Sequence, residues 1–318
     1  MSKRILITGG AGFIGSSLAQ RLAEDEENYI VIVDNLLTGS ESKLPESVHQ
    51  NIKFIRADVN DFQEISSIFH AFSFDYVFHY AALVGVKRTL ANPVKVLNDL
   101  NGIRNILNLS KNSRVKRVYY SSSSEVYGEP VEFPQNEHTT PLNSRLPYAI
   151  VKNVGEAYLR AFMQEFDVEF TIFRFFNTYG SKQSNDFVMS KFLTAAMNNQ
   201  DIPIYGDGSQ TRTFCYIDDN IEACVNAFYK NKIVNDVANI GSDMEISILD
   251  FATKIIELTN SKSNIIFLPA LKEGDMTRRC PDITKMKLLL NRRMTSLDEG
   301  IRRLIEEKNF VPPFKINA

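Results

Sequence analysis

Short apolar runs rich in β-branched residues alternate with longer stretches of helical periodicity through the first half of the chain. Ile5–Thr8 runs into Gly9-Gly10-Ala11-Gly12-Phe13-Ile14-Gly15, and an amphipathic stretch follows from about Ile14 to Glu24, which predicts strand, glycine turn and helix. Further strands are predicted at Tyr29–Val33, Ile52–Ile55, Tyr76–Phe78, Val115–Tyr120 and Val168–Phe176. Helical patterns near Asp61–Phe69, Pro93–Ser110 and Tyr148–Phe166 lie between them. Strands without polar alternation, separated by helices, belong to a parallel sheet covered on both faces, so the predicted class is α/β with a doubly wound sheet.

Past about Gly180 the texture changes. Lys182-Gln183-Ser184-Asn185, Gly206-Asp207-Gly208-Ser209 and Lys272-Glu273-Gly274-Asp275 read as loops between shorter helices. Residues 1–180 are expected to form the sheet domain and 181–318 mainly a smaller substrate lobe, with Val237–Ile240 a strand that returns to the sheet and interleaves the two. The 318 residues are 44% hydrophobic and 23% charged, which excludes disorder and suffices for a large core. Lys and Arg total 36 against 38 Asp and Glu, so no broad positive field exists to hold nucleic acid or an anionic membrane. No apolar run approaches the length of a membrane helix or a signal peptide. Cys215, Cys224 and Cys280 are too far apart for a CxxC motif and odd in number, which points to a reducing, cytoplasmic setting.

Gly9, Gly12 and Gly15 follow a strand and open a helix, which supplies the tight turn, close backbone approach and helix dipole that a dinucleotide pyrophosphate needs. Asp34 ends the next strand, where a carboxylate accepts from ribose hydroxyls and repels a 2′-phosphate, so the Rossmann-type sheet is expected to hold NAD rather than NADP. Asp58, after the third strand, is read either as an adenine contact or as part of the cap of the helix at Asn60–Asp61. Tyr148 and Lys152 lie one helical turn apart, so an ammonium beside a phenol can favour phenolate and let Tyr148 take a proton as hydride leaves a substrate carbon. Upstream, the strand Val118–Ser121 ends in a serine run at the sheet edge where ligands bind. His79 is expected to pack at a strand end beside the cofactor, and the four histidines show no ligand spacing, so no metal is expected.

These motifs resemble the extended short-chain dehydrogenase/reductase family, specifically its nucleotide-sugar epimerases, dehydratases and decarboxylases. The likeness runs from Thr8–Gly15 through His79-Tyr80-Ala81-Ala82, Ser122–Gly128, Tyr148/Lys152, Arg174–Gly180 and Tyr205–Arg212 to Arg279-Cys280-Pro281-Asp282. It implies bound NAD, a nucleotide-diphosphate sugar between the lobes, and oxidation at the sugar's C4. Carried over by position, Tyr148 resembles the base, Lys152 its partner on the nicotinamide ribose, and Ser123 the catalytic serine, with Glu125 a further catalytic candidate. Phe13, Ile14, Asn35, Val59 and Ala81 join the glycines, Asp34 and Asp58 as expected cofactor contacts. Ser124, Asn177, Tyr205, Arg212 and Arg279 are the expected substrate contacts, Asn177 and the two arginines at the diphosphate, where guanidinium suits phosphate oxygens. Family members also imply a homodimer through the helices at Pro93–Ser110 and Tyr148–Phe166.

The fate of the C4 ketone turns on residues 123–125. Dehydratases of the family carry Thr-Asp-Glu there, and Ser124 cannot replace the acid that protonates the departing hydroxyl. UDP-glucuronate decarboxylases carry Thr-Ser-Glu, close to Ser123-Ser124-Glu125, but Gly180-Ser181-Lys182 lacks their arginine. The leading expectation is a 4-keto species that is epimerised or released. Decarboxylation, 4,6-dehydration and a non-catalytic NAD-binding regulator are the alternatives. Glu125 reads equally as an acid/base or as a hydrogen-bond acceptor. Asp99 stands where the resemblance implies an asparagine supporting the active-site helix, and Val84–Thr89, with Lys87 and Arg88, reads either as a border of the sugar pocket or, preferred, as a solvated loop.

Overall fold

The computed structural model describes residues 2–45, 50–270 and 278–307. The loop expected at 272–275 lies outside them. Strands β1 (Lys3–Thr8), β2 (Asn28–Asp34), β3 (Ile52–Arg56), β4 (Tyr76–His79), β5 (Arg117–Ser123) and β6 (Glu169–Phe175) are the apolar runs of the sequence. Between them lie α1 (Phe13–Ala23), α2 (Phe62–Phe72), α3 (Val86–Ala91), α4 (Pro93–Leu97), α5 (Asp99–Asn112) and α6 (Pro147–Phe166). The rest of the chain forms β7 (Thr178–Tyr179), α7 (Val188–Met197), β8 (Ile202–Tyr205), β9 (Thr211–Thr213), β10 (Cys215–Tyr216), α8 (Ile217–Tyr229) and β11 (Asp236–Ile240). It ends in β12 (Glu245–Ser247), α9 (Ile248–Thr259), β13 (Ile265–Leu268), α10 (Thr284–Leu290) and α11 (Leu297–Glu306).

β11 pairs in parallel with β6 and completes a seven-stranded sheet of order β11-β6-β5-β4-β1-β2-β3. Alternate residues of its central strands enter different cores: Ile5, Ile7, Ile30 and Ile32 pack on one face, Leu6, Val31 and Val33 on the other. Two elements depart from the periodicity. The stretch expected as one helix at Pro93–Ser110 divides at Asn98 into α4 and α5, and the segment expected as a solvated loop at Val84–Thr89 turns helical from Val86.

A polar network is sealed behind β5. Arg174 on β6 and Glu156 on α6, 1% and 0% exposed, form a bidentate pair with Nε–Oε1 2.8 Å and Nη2–Oε2 2.7 Å. Ser122 donates to the same carboxylate at 2.6 Å. Arg174 also donates to the Tyr127 hydroxyl at 2.8 Å, and Tyr127 donates to Asn239 on β11 at 2.8 Å. The network thus fixes the serine-bearing strand against the helix that carries Tyr148 and Lys152.

Candidate active site

The strand order reverses between β1 and β4, the position where open α/β sheets leave a crevice, and a cavity of about 540 Å³ opens there. One end is the glycine turn. Gly9 has φ +69°, and a Cβ on it would lie 2.6 Å from the Ala81 nitrogen, so this turn approaches the end of β4 as only glycine allows. Gly12 caps α1 without a side-chain hydrogen bond, and Phe13, Ile14 and Gly15 line the cavity, so first-turn amides and the helix dipole are available to an anion.

Asp34 is buried at the end of β2 and accepts from the amides of Ala11 at 3.0 Å and Leu36 at 2.8 Å. Burial pushes its carboxyl above the ordinary range, against those amides and the charge of Lys43. Gly39 presses close: a Cβ there would lie 2.8 Å from Asp34 Oδ1. Asn35 donates to Asp58 at 3.0 Å, and both line the cavity with Val59 and Ala81. The cap of α2 is Asp61, which accepts from Gln63 and Glu64, so Asp58 is a wall residue and not the cap. His79 bonds Thr8 Oγ1 at 2.8 Å, and burial lowers its imidazole to about 3, so it stays neutral.

The opposite wall carries the second constellation. Pro147 opens α6, and Tyr148 and Lys152 line the cavity one turn apart. Lys152 Nζ donates to the Ser121 carbonyl at 2.6 Å and lies 5.8 Å from the centre of the Tyr148 ring. Burial lowers its amine to about 8, with the charge of Asp99 opposing. The expectation that the ammonium draws the phenol down is corrected: burial pushes Tyr148 well above its ordinary range, Glu125 and Asp99 add to it, and Ser123 and Arg279 oppose. Loss of water around the phenolate outweighs a lysine whose proton is already directed at Ser121.

Ser123 ends β5 and accepts from the Glu125 amide at 3.2 Å, starting the single turn Ser124–Tyr127. Arg279 meets this turn: Nη2 donates to Glu125 at 2.7 Å and Nη1 to Ser124 at 3.3 Å, while its buried Nε has no partner among the described residues. A backbone bridge delivers it there, the Gln135 amide donating to Cys280 and the Asp282 amide to Gln135, each at 2.8 Å. Arg279 therefore lines the cavity beside the catalytic candidates. Asn177 lines the cavity and donates to the Thr213 carbonyl at 3.0 Å.

Tyr205 and Arg212 do not line this cavity. Pairing of β8 with β13 and of β9 with β12 ties both residues into the small lobe, where Arg212 donates to the Thr211 carbonyl at 2.7 Å. Conversely, Lys43, Arg88 and Thr89 line it, and Arg88 reaches across to Asp186 at 2.8 Å. No local motif marks that pair, because its members lie 98 residues apart. Among the described residues no cluster of three His, Cys, Asp or Glu could hold a metal ion, and no helix is long and apolar enough to cross a membrane.

Comparison with known proteins follows the same lines. The NAD dependent epimerase/dehydratase family matches residues 5–241. The chain belongs to this family. As a member it is an NAD-dependent enzyme of the extended short-chain dehydrogenase/reductase type that works on nucleotide sugars. It is 36% identical to UDP-glucuronic acid decarboxylase 1 of Danio rerio, over 96% of this chain and 72% of that protein. It is 35% identical to UDP-N-acetyl-alpha-D-glucosaminuronate decarboxylase of Bacillus cytotoxicus, over 96% and 98%. Among solved structures, UDP-glucose 4-epimerase of Thermotoga maritima with UDP-glucose superposes with a TM-score of 0.89 at 31% identity, covering 95% of this chain and 97% of that one.

Proposed function

We propose that this enzyme oxidises C4 of the sugar of a nucleotide-diphosphate sugar to a 4-keto species, with Tyr148 receiving the hydroxyl proton. The observation that carries the proposal is the convergence of Ser123, Tyr148 and Lys152 on the cavity that also contains the glycine turn. NAD, held by Gly9, Gly12, Phe13, Ile14, Gly15, Asp34, Asn35, Asp58, Val59 and Ala81, supplies the hydride acceptor there. Lys152, anchored on Ser121, lies beside the phenol, and Ser123 and Arg279 act against the burial that raises it. Tyr148, once it has given up its own proton, takes the proton from the C4 hydroxyl.

The cofactor assignment has its own test. Gly39→Ala places a methyl group against the Asp34 carboxylate and is expected to weaken NAD binding about ten- to a hundredfold, the order of a lost charged hydrogen bond. Titration calorimetry of the NAD-free protein reads this directly, and an unchanged affinity would remove Asp34 from the cofactor site.

One observation favours a particular fate for the ketone. Glu125 and Arg279 form an ion pair, 14% and 7% exposed at the side chain, against the catalytic serine. A hexuronate oxidised at C4 is a β-keto acid: its C5–C6 bond breaks, CO2 leaves, the electron pair passes to the C4 oxygen, a proton returns to C5 and hydride to C4. Arg279, with an unsatisfied buried N–H, suits the carboxylate of such a sugar. The two decarboxylase relatives support the same reading. The homodimer belongs to the proposal as well, supported by Leu90, Val94, Leu97 and Ile150, which expose apolar side chains on α3, α4 and α6.

Incubation with UDP-, GDP-, dTDP- and CDP-linked hexoses and hexuronates, followed by product mass and NADH absorbance, tests both levels. Loss of CO2 from a hexuronate is expected. A new stereoisomer of unchanged mass would keep the C4 oxidation and replace the decarboxylation with epimerisation, and loss of two hydrogens with NADH accumulating would mean a released ketone. Loss of water would overturn the reading of Ser124, and no conversion of any of them would overturn the proposal.

A further inference from the structure

Arg278 and Arg279 are consecutive, yet they serve different neighbours. Arg279 meets Ser124 and Glu125 at the cavity, whereas Arg278 turns to Glu245 on β12, with Nε–Oε2 2.7 Å and Nη2–Oε1 2.6 Å. The Arg278 guanidinium also lies 4.0 Å from the centre of the Phe133 ring. Glu245 Oε2 accepts a further hydrogen bond from the Thr211 hydroxyl at 2.9 Å, so one carboxylate joins β9 to the segment that bears Arg279. Opposite Glu245 in the β9–β12 ladder stands Thr213, whose carbonyl holds the Asn177 side-chain amide at 3.0 Å. A path of contacts thus runs from Asn177 through Thr213, Glu245 and Arg278 to Arg279, and both of its ends line the cavity. On its other side Arg279 is held by the Gln135 bridge, through Cys280 and Asp282.

We propose that Glu245 is a positioning residue: its pair with Arg278 sets Arg279 against Asn177 in the arrangement that an anionic sugar nucleotide requires. The inference rests on the reading of Arg279 as a substrate contact. A bidentate pair fixes the plane of the guanidinium as well as its distance. Its members are 46% and 21% exposed at the side chain, so the pair contributes little to folding. Loss of the pair therefore frees the chain on one side of Arg279 while the fold stays intact. Sugar-nucleotide affinity is expected to fall and NAD affinity to hold, because the glycine turn and Asp34 take no part in this path.

Calorimetry on the NAD-loaded full chain, carrying Tyr148→Phe to stop turnover, reads this with the hexuronate that the wild type converts. Glu245→Gln keeps the shape of the side chain and removes its charge. It is expected to weaken binding of the sugar nucleotide about three- to thirtyfold, the order for a binding group displaced but not removed, with NAD affinity and the unfolding midpoint unchanged. Arg278→Met breaks the same pair and is expected to do the same. In an Arg279→Gln background Glu245→Gln is expected to cost nothing further, because its effect passes through Arg279. Unchanged sugar-nucleotide affinity in Glu245→Gln would overturn the inference. An effect absent from Arg278→Met, or undiminished in Arg279→Gln, would also overturn it, because Glu245 would then act by another route. Failure of the underlying reading looks different: Arg279→Gln alone would bind the hexuronate as tightly as its parent, and the inference would fall with it.

Discussion

Tyr148→Phe is expected to lower turnover about a hundred- to ten-thousandfold, the range for loss of a positioned acid–base group, while leaving NAD binding and the unfolding midpoint near wild type. The variant removes one oxygen and keeps the ring against which Lys152 lies. Lys152 itself remains in place, because Ser121 and not the phenol holds its ammonium. The substrate hydroxyl then loses its proton acceptor with little else disturbed. Steady-state kinetics on the sugar nucleotide converted by the wild type, with fluorescence titration of NADH as control, reads the split. Full turnover in Tyr148→Phe would mean that another group takes the proton.

Glu156→Leu is expected to destabilise the fold by about 3–5 kcal/mol, the cost of leaving one member of a buried ion pair without its partner. Arg174 would keep its charge at 1% exposure with both bonds to Glu156 gone, and Ser122 would lose its acceptor. Urea unfolding measures the loss. The double variant Glu156→Leu/Arg174→Met is expected to recover much of it, since an apolar pair of similar volume replaces the ions; no recovery would show that the network contributes more than charge pairing. The pH dependence has a definite sign. Burial pushes the Glu156 carboxyl up, but Arg174, Ser122 and Arg160 hold it below its ordinary value of 4.5. Its contribution is therefore complete above that value and is lost as pH falls through the lower folded-state value.

Local motifs made part of this site legible in the sequence. The glycine turn, Asp34 and the Tyr148–Lys152 spacing each lie within one strand–turn or one helical turn, so spacing alone locates them on the cavity wall. Glu125 and Arg279 were nameable one at a time, but their pairing spans 154 residues and depends on the bridge between Gln135 and Pro281, which no periodicity encodes. Arg212 shows the converse. Its residue type suits phosphate, yet the pairing of β9 with β12 decides where its backbone lies. The break at Asn98 was hidden because the apolar spacing continues across it, and α3 was hidden by its brevity. The return of β11 to the sheet was readable as an apolar run, whereas its role in closing the Tyr127–Asn239 contact was not.

The most direct test of the account is to follow the hydrogen at C4. A nucleotide sugar carrying deuterium at C4 is mixed with the NAD-loaded enzyme, quenched within a single turnover, and the nicotinamide is examined by mass spectrometry. Removal of hydride from C4 predicts deuterated NADH on the wild-type enzyme and none on Tyr148→Phe. Deuterium released to solvent, or found only at C4 with no reduced cofactor at any quench time while product forms, would contradict C4 oxidation as the step this cavity performs.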